Sequence, residues 1–138
     1  MAFLVDTNVI SELRGGSTRC HPGVWQWYDG TPVEEIYLSV LVLGEMRKGV
    51  ELKRARDPMA AHAFERWLRS ITTLHRPRIL EVTREIADLW GILQARVQVP
   101  ITDGLLAATA QCHHLTVVTR NARDFQRCAV DFINPFEF

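Results

Sequence analysis

The sequence predicts an α/β domain of the doubly wound kind, built on a central, mostly parallel sheet of four to five strands. Three observations predict it. Short β-rich runs at residues 2–5, 35–40, 78–82, 116–118 and 130–133 alternate with longer stretches whose apolar side chains fall on one helical face. The first run, Ala2 to Val5, has no polar alternation, as suits a strand buried on both faces of a parallel sheet. A carboxylate, Asp6, then stands at its C-terminal end, where open parallel sheets bind ligands.

In chain order, residues 2–5 are the first strand. Val9, Ile10 and Leu13 give the next segment a helical face, and Gly15-Gly16-Ser17 reads as a loop. A short helix opens at His21-Pro22-Gly23, runs through Tyr28 and stops at Asp29-Gly30-Thr31-Pro32. Ile36, Tyr37, Leu38 and Val40 make the second strand, and Leu43, Met46 and Val50 form the stripe of the helix that follows. Glu45 falls within its first two turns, at the edge of that stripe, where a carboxylate needs a partner or a cation. Asp57 caps a helix with Pro58 in its first turn and an apolar stripe of Ala61, Phe64, Trp67, Leu68 and Ile71.

Residues 78–82 are the third strand, and Thr83 caps a helix carrying Ile86, Leu89, Trp90, Leu93 and Val97. Val99-Pro100-Ile101 breaks it, and Thr102 is the predicted cap of a helix from Asp103 to about His114. Asp103 therefore lies in a first turn, where the helix dipole and free N–H groups favour an anion. Residues 116–118 are the fourth strand, 119–125 a turn, and 130–133 a fifth short strand before Asn134-Pro135. All 138 residues form a single predicted domain.

Composition narrows the function classes. Sixteen basic residues balance sixteen acidic ones, so the chain lacks the bulk positive field of a protein that coats nucleic acid. Fourteen of the sixteen basic residues are Arg, whose planar fork matches phosphate. Cys20, Cys112 and Cys128 form neither a disulfide set nor a zinc spacing, which sets thiol chemistry aside. With no bilayer-length apolar run and no signal-peptide pattern, the expected location is the cytoplasm, away from membranes.

The acids then converge on topological grounds. In a parallel sheet, the helix leading into strand 116–118 runs from the carboxyl edge back to the amino edge, so Asp103 starts beside Asp6. Glu45 begins from the same edge, and residues 119–124 follow a strand that ends there. Asp6 has a plainer alternative role as a helix N-cap. Several carboxylates in one crevice repel one another unless a cation sits between them. Oxygen-only ligands point to Mg²⁺, with Mn²⁺ able to substitute, and the expected chemistry is in-line hydrolysis of a phosphodiester. Asp6 and Asp103 are the expected direct ligands, Glu45 binds a second ion or orients the water, and Asp124 is the outer acid. Thr7, Asn8, Thr119 and Asn121 are candidate supports for the carboxylates or the scissile phosphate. Arg47, Arg120 and Arg123 are candidate phosphate contacts.

These residues also form a recognisable pattern. Leu4-Val5-Asp6-Thr7-Asn8-Val9-Ile10-Ser11-Glu12, Gly44-Glu45-Met46-Arg47-Lys48-Gly49, Asp103 before Leu106-Ala107-Ala108-Thr109-Ala110, and Thr119-Arg120-Asn121-Ala122-Arg123-Asp124-Phe125 resemble the PIN-domain ribonucleases of VapC type. The tail Phe132-Ile133-Asn134-Pro135-Phe136 is similar to the FitB-like branch. The resemblance covers nearly the whole chain and implies a three-layer α/β/α PIN-like domain. It implies the toxin of a type II toxin–antitoxin module, a Mg²⁺-dependent endoribonuclease acting on RNA, often tRNA or rRNA. It also implies a homodimer, inhibition by a VapB-like antitoxin in a higher assembly, and contact with operator DNA only through that antitoxin. By motif, Asp6, Glu45 and Asp103 take the family's three core acidic positions, and Asn121 or Asp124 the fourth.

Other readings meet specific obstacles. A haloacid-dehalogenase-like phosphatase needs a second aspartate two residues after the first, where this chain has Asn8. A receiver domain wants a late lysine, and both lysines, Lys48 and Lys53, sit on the helix after strand two. The remaining alternative is a non-cleaving RNA- or antitoxin-binding module on the same scaffold, whose binding would ignore Mg²⁺.

Overall fold

The computed structural model describes residues 1–138. Five strands, β1 (Phe3–Val5), β2 (Ile36–Ser39), β3 (Ile79–Leu80), β4 (Thr116–Val118) and β5 (Phe132–Ile133), form one sheet in the order β3-β2-β1-β4-β5, with every pairing parallel. Phe3, Leu4 and Val5 are all buried, as a central parallel strand requires.

The chain moves from β1 to β2 and β3 through α1 (Thr7–Glu12), α2 (Gly16–Arg19), α3 (Pro22–Asp29), α4 (Val40–Arg54) and α5 (Pro58–Leu74). It then crosses back to β4 and β5 through α6 (Arg84–Arg96), α7 (Ile101–His113) and α8 (Ala122–Arg127). Because parallel crossovers are right-handed, the reversal of direction puts the first group of helices on one face and the second on the other. Packing of α1 on α4 and α4 on α5, and of α6 and α8 on α7, agrees with this. The result is a three-layer α/β/α fold whose switch point lies between β1 and β4, where a crevice opens at the carboxyl edge.

Most element boundaries match the residue pattern. Asp57 caps α5 through Ala60 N–H (3.1 Å), with Pro58 in the first turn, and Thr83 caps α6 through Ile86 N–H (3.2 Å). Three expectations shift. Gly15-Gly16-Ser17 is not a loop: a 3₁₀ turn at Leu13–Gly15 runs into α2, with Gly16 supplying the positive φ of +67° that joins them. Thr102 is not a cap, because α7 begins two residues earlier than expected, behind Pro100, whose extended backbone (φ −52°, ψ 143°) turns the chain into the helix without a side-chain hydrogen bond. The segment after β4 is not only a turn, since α8 forms around the fully buried Phe125.

The stripe of α4 also rotates by one residue. Val42, Met46 and Val50 are buried, an i, i+4 row that meets Phe64, Leu68 and Ile71 of α5 in the core, and Leu43 is only half-buried. No helix is long and apolar enough to cross a membrane.

Candidate active site

The carboxyl edge is built from the ladder itself. β1 and β4 pair in register, Val5 against Val118, and the next rung continues beyond the strands as Asp6 N–H donates to Val118 C=O (2.9 Å). On the far side of β4, Thr119 N–H donates to Ile133 C=O (3.0 Å). Asp6 and Thr119 thus leave neighbouring strands at one level. The Thr119 hydroxyl, fully buried, donates to Asp6 Oδ2 (2.8 Å).

Asp6 is held by three donors. Thr7 N–H reaches Oδ1 (2.7 Å), and Asn8 Nδ2 (3.1 Å) shares Oδ2 with Thr119. Asp6 thus caps α1 with one oxygen while the other faces β4 and remains available to a site. Burial raises the Asp6 pKa and the neighbouring Glu45 carboxylate adds to this, while the donors from Thr119, Thr7 and Asn8 pull it down. The donors form a frame: Asn8 Oδ1 accepts from Arg120 N–H (3.0 Å) and Thr119 Oγ1 accepts from Asn121 N–H (2.9 Å).

Glu45 comes from the second turn of α4. It is exposed, and its Oε1 accepts from the Thr7 hydroxyl (2.6 Å), which ties it to the segment after Asp6. Asp103 comes from the first turn of α7 and is buried, with Oδ2 lacking any hydrogen-bond partner. Its depth is set by Gly104: a Cβ there would lie 2.7 Å from Gln94 Oε1 and 3.0 Å from the Trp90 ring, so only glycine lets α7 sit this close to α6.

Asp103 is the most perturbed acid of the site. Its pKa is pushed up to about 7, first by burial, then by the adjoining Asp124 carboxyl, and further by the charge of Asp6, with Asn121 opposing. Both Asn121 and Asp124 thus neighbour Asp103, the one as the N-cap residue of α8 and the other in its first turn.

The crevice is a line of acids, not a closed cage: no three His, Cys, Asp or Glu side chains are gathered tightly enough to hold a metal ion as they stand. The chemistry of the donors nevertheless fits a hard divalent cation. All are oxygens, they repel one another, and a buried carboxylate oxygen of Asp103 has no partner within the chain.

The three candidate arginines separate. Arg120 follows Thr119 and is anchored to the site through Asn8. Arg123 is exposed on α8, one residue before Asp124. Arg47 is not brought to the acids: it lies on the other side of α4 from Glu45, where it pairs with Glu65 of α5 and Glu51 (3.2 Å). The spacing of Glu45 and Arg47 contained this, because two residues apart on a helix is about 200° of rotation.

Phe136, known from the sequence only as part of the tail motif, also reaches this edge. Its ring lies 4.0 Å beneath the Arg120 guanidinium and 5.2 Å from the ring of His21. An aromatic residue following Asn-Pro at the end of the strand beside β4 was the available signal.

Comparison with known proteins agrees with this geometry. The PIN domain family matches residues 3–131. Toxin FitB of Neisseria gonorrhoeae is 34% identical over 97% of this chain and 98% of its own length. VapC ribonuclease Y4jK of Sinorhizobium fredii is 33% identical over 98% of each. The crystal structure of FitAcB from Neisseria gonorrhoeae superposes with a TM-score of 0.90 at 31% identity, covering 99% of both chains. The parallel five-stranded sheet, the acids at its carboxyl edge and a match running from β1 almost to the end of the chain have one explanation: this chain belongs to the PIN domain family.

Proposed function

We propose that the chain is the toxin of a type II toxin–antitoxin module and acts as a Mg²⁺-dependent endoribonuclease on RNA phosphodiester bonds. The observation that carries this reading is Asp103, buried beside Asp124 and Asp6 with an unpartnered oxygen and a pKa raised to about 7. The names of the relatives support it, one a toxin and the other a VapC ribonuclease.

Asp6, Asp103 and Glu45 would hold the Mg²⁺, for which Mn²⁺ can be exchanged, with Asp124 as the outer acid. When bound, the ion supplies Lewis-acid stabilisation of the phosphate and a water of lowered pKa. The chain's own residues prepare the ground for it. Thr119 and Asn8 keep Asp6 Oδ2 aimed along the crevice, and Thr7 keeps Glu45 turned towards Asp6. Asp103, with its pKa raised to about 7, carries a proton below neutral pH and becomes a carboxylate, able to ligate, above it. Arg120 and Arg123, on the segment that also carries Asn121 and Asp124, are the phosphate contacts of the entering RNA strand. In the same reading the chain is a homodimer, and its partner is a VapB-like antitoxin that blocks the crevice.

The test is cleavage of unfractionated bacterial tRNA and rRNA by the purified chain, freed of any co-purified antitoxin, with Mg²⁺ or Mn²⁺ and with EDTA. Cutting that needs the metal and disappears in Asp6→Asn and Asp103→Asn is the expected result. RNA binding that is indifferent to Mg²⁺ and produces no cut would favour a non-cleaving module instead.

A further inference from the structure

We infer that Phe136, in the C-terminal tail, is a positioning residue that holds Arg120 against a phosphate of the RNA strand beside the acidic crevice. The inference rests on the ribonuclease reading above and concerns how that site grips its substrate.

The tail is fixed from several sides. β5 lies beside β4, and the chain then turns across the carboxyl edge, where Asn134 Oδ1 accepts from Phe136 N–H (3.1 Å). Pro135 is buried against the start of α3 so closely that a Cβ on Gly23 would stand 2.3 Å from Pro135 C=O. His21, whose ring packs against Phe136, is itself held: its N–H donates to Glu12 Oε2 (2.7 Å) and its Nδ1 accepts from Gly23 N–H (3.1 Å). The half-buried Phe136 ring is therefore a fixed surface.

Arg120 rests on that surface at one end and on the site at the other. Its guanidinium carbon is 4.0 Å from the Phe136 ring centroid, and its backbone N–H bonds Asn8, which bonds Asp6. Yet Arg120 is exposed and makes no ion pair or side-chain hydrogen bond within the chain. Arg47 and Arg54, by contrast, are engaged by Glu51 and Glu65. Stacking occupies the face of a guanidinium and leaves its in-plane N–H fork open, which is the geometry that meets a phosphate. A cation held without a counter-charge, at the rim of a crevice that repels anions, suits a substrate whose phosphates must be drawn towards carboxylates.

The experiment is steady-state cleavage of unfractionated bacterial tRNA with Mg²⁺ over a range of substrate and salt concentrations, with a thermal melt of each variant. Arg120→Ala should raise KM about tenfold and flatten the salt dependence, with kcat little changed. Phe136→Leu, which keeps an apolar side chain, should raise KM about two- to fivefold. It should add nothing in the Arg120→Ala background, and Phe136→Tyr should restore the wild-type KM. Arg120→Lys, with the tail intact, should behave more like Arg120→Ala than like wild type, and this variant decides alone if Phe136→Leu folds poorly. Additive effects of Arg120→Ala and Phe136→Leu, a wild-type KM in Arg120→Lys, or a fall in kcat at constant KM would each overturn the inference. If the wild-type chain cuts and these variants match it, only this inference fails; if the wild type cuts no RNA, the ribonuclease reading fails with it.

Discussion

On the α4–α5 hairpin, Arg47, Arg54, Glu51 and Glu65 form a closed set of exposed ion pairs, whereas at the carboxyl edge Asp6, Glu45, Asp103 and Asp124 are gathered with no Arg or Lys paired to any of them. The hairpin's charges satisfy one another in water, where such pairs contribute little to stability. Those of the crevice are like charges, two of them buried: Glu45 adds to the raised pKa of Asp6, and Asp124 and Asp6 add to that of Asp103. One cluster is complete as it stands. The other is a standing cost to the fold, and under the proposed ribonuclease reading that difference separates the crevice, as the working surface, from the hairpin.

The largest effect should come from neutralising the most strained acid. Asp103→Asn should lower cleavage by about 10²- to 10⁴-fold, the range associated with losing a group that stabilises developing charge. The same change should stabilise the chain at pH 8. An acid whose folded pKa is about 7 against 3.8 for the free group keeps its proton longer in the native state, so native stability falls as pH rises from about 4 to about 7. In the Asp103→Asn variant that fall should be smaller by about 1–2 kcal/mol, a figure reduced for solvent screening in an open crevice. Urea melts at pH 5 and pH 8 read it directly: equal stability gain at both would show that ionisation of Asp103 is not the cause.

Divalent ions should sharpen the contrast by acting on one cluster alone. At pH 8, Mg²⁺ at about a hundred times its dissociation constant should raise wild-type stability by about 2–3 kcal/mol. At pH 5 the gain should shrink because the carboxyls compete with protons, and in Asp103→Asn it should largely vanish. A gain that persists unchanged in that variant would move the ion away from Asp103.

The frame around Asp6 should matter next. Thr119→Val keeps the buried shape but removes a hydroxyl that donates to Asp6 and accepts from Asn121 N–H, leaving Asn121 N–H unpartnered and Asp6 Oδ2 with Asn8 alone. The expected loss is about 1–3 kcal/mol of stability, with cleavage reduced in parallel, and Thr119→Ser should recover most of both. Wild-type cleavage in Thr119→Val would mean that Thr7 and Asn8 hold Asp6 well enough without it.

The difference between the two clusters also explains what could be foreseen. Parallel strands, the order of the acids and the meeting of Asp103 with Asp6 followed from period and crossover direction, which are written along the chain. Thr119 was legible for the same reason, as it directly follows a strand that ends at that edge. Arg47 misled because the basic run on α4 shows charge without showing which acids face it, and Glu65 lies 18 residues away on the returning helix. The tail motif contains Phe136 without revealing its contact with Arg120, which depends on how the tail folds back over the sheet edge. The start of α7 slipped by two residues because Pro100 can lead into a helix as effectively as Thr102 can cap one.

The smallest expected effect belongs to the hairpin. Glu65→Gln removes the carboxylate shared by Arg47 and Arg54, and Glu51 still lies within reach of both guanidinium groups. Because the cluster is exposed, water replaces what is lost, and the variant should melt and cleave RNA as the wild type does. Its pH profile should also be unchanged between pH 5 and pH 8, since the Glu65 pKa is lowered by the two arginines and the group stays ionised across that range. Cleavage reduced in Glu65→Gln without any loss of stability would mean that Arg47, released from its partner, competes for the RNA strand. The hairpin would then be part of the working surface, and the division between satisfied and unsatisfied charge would not coincide with the division between scaffold and site.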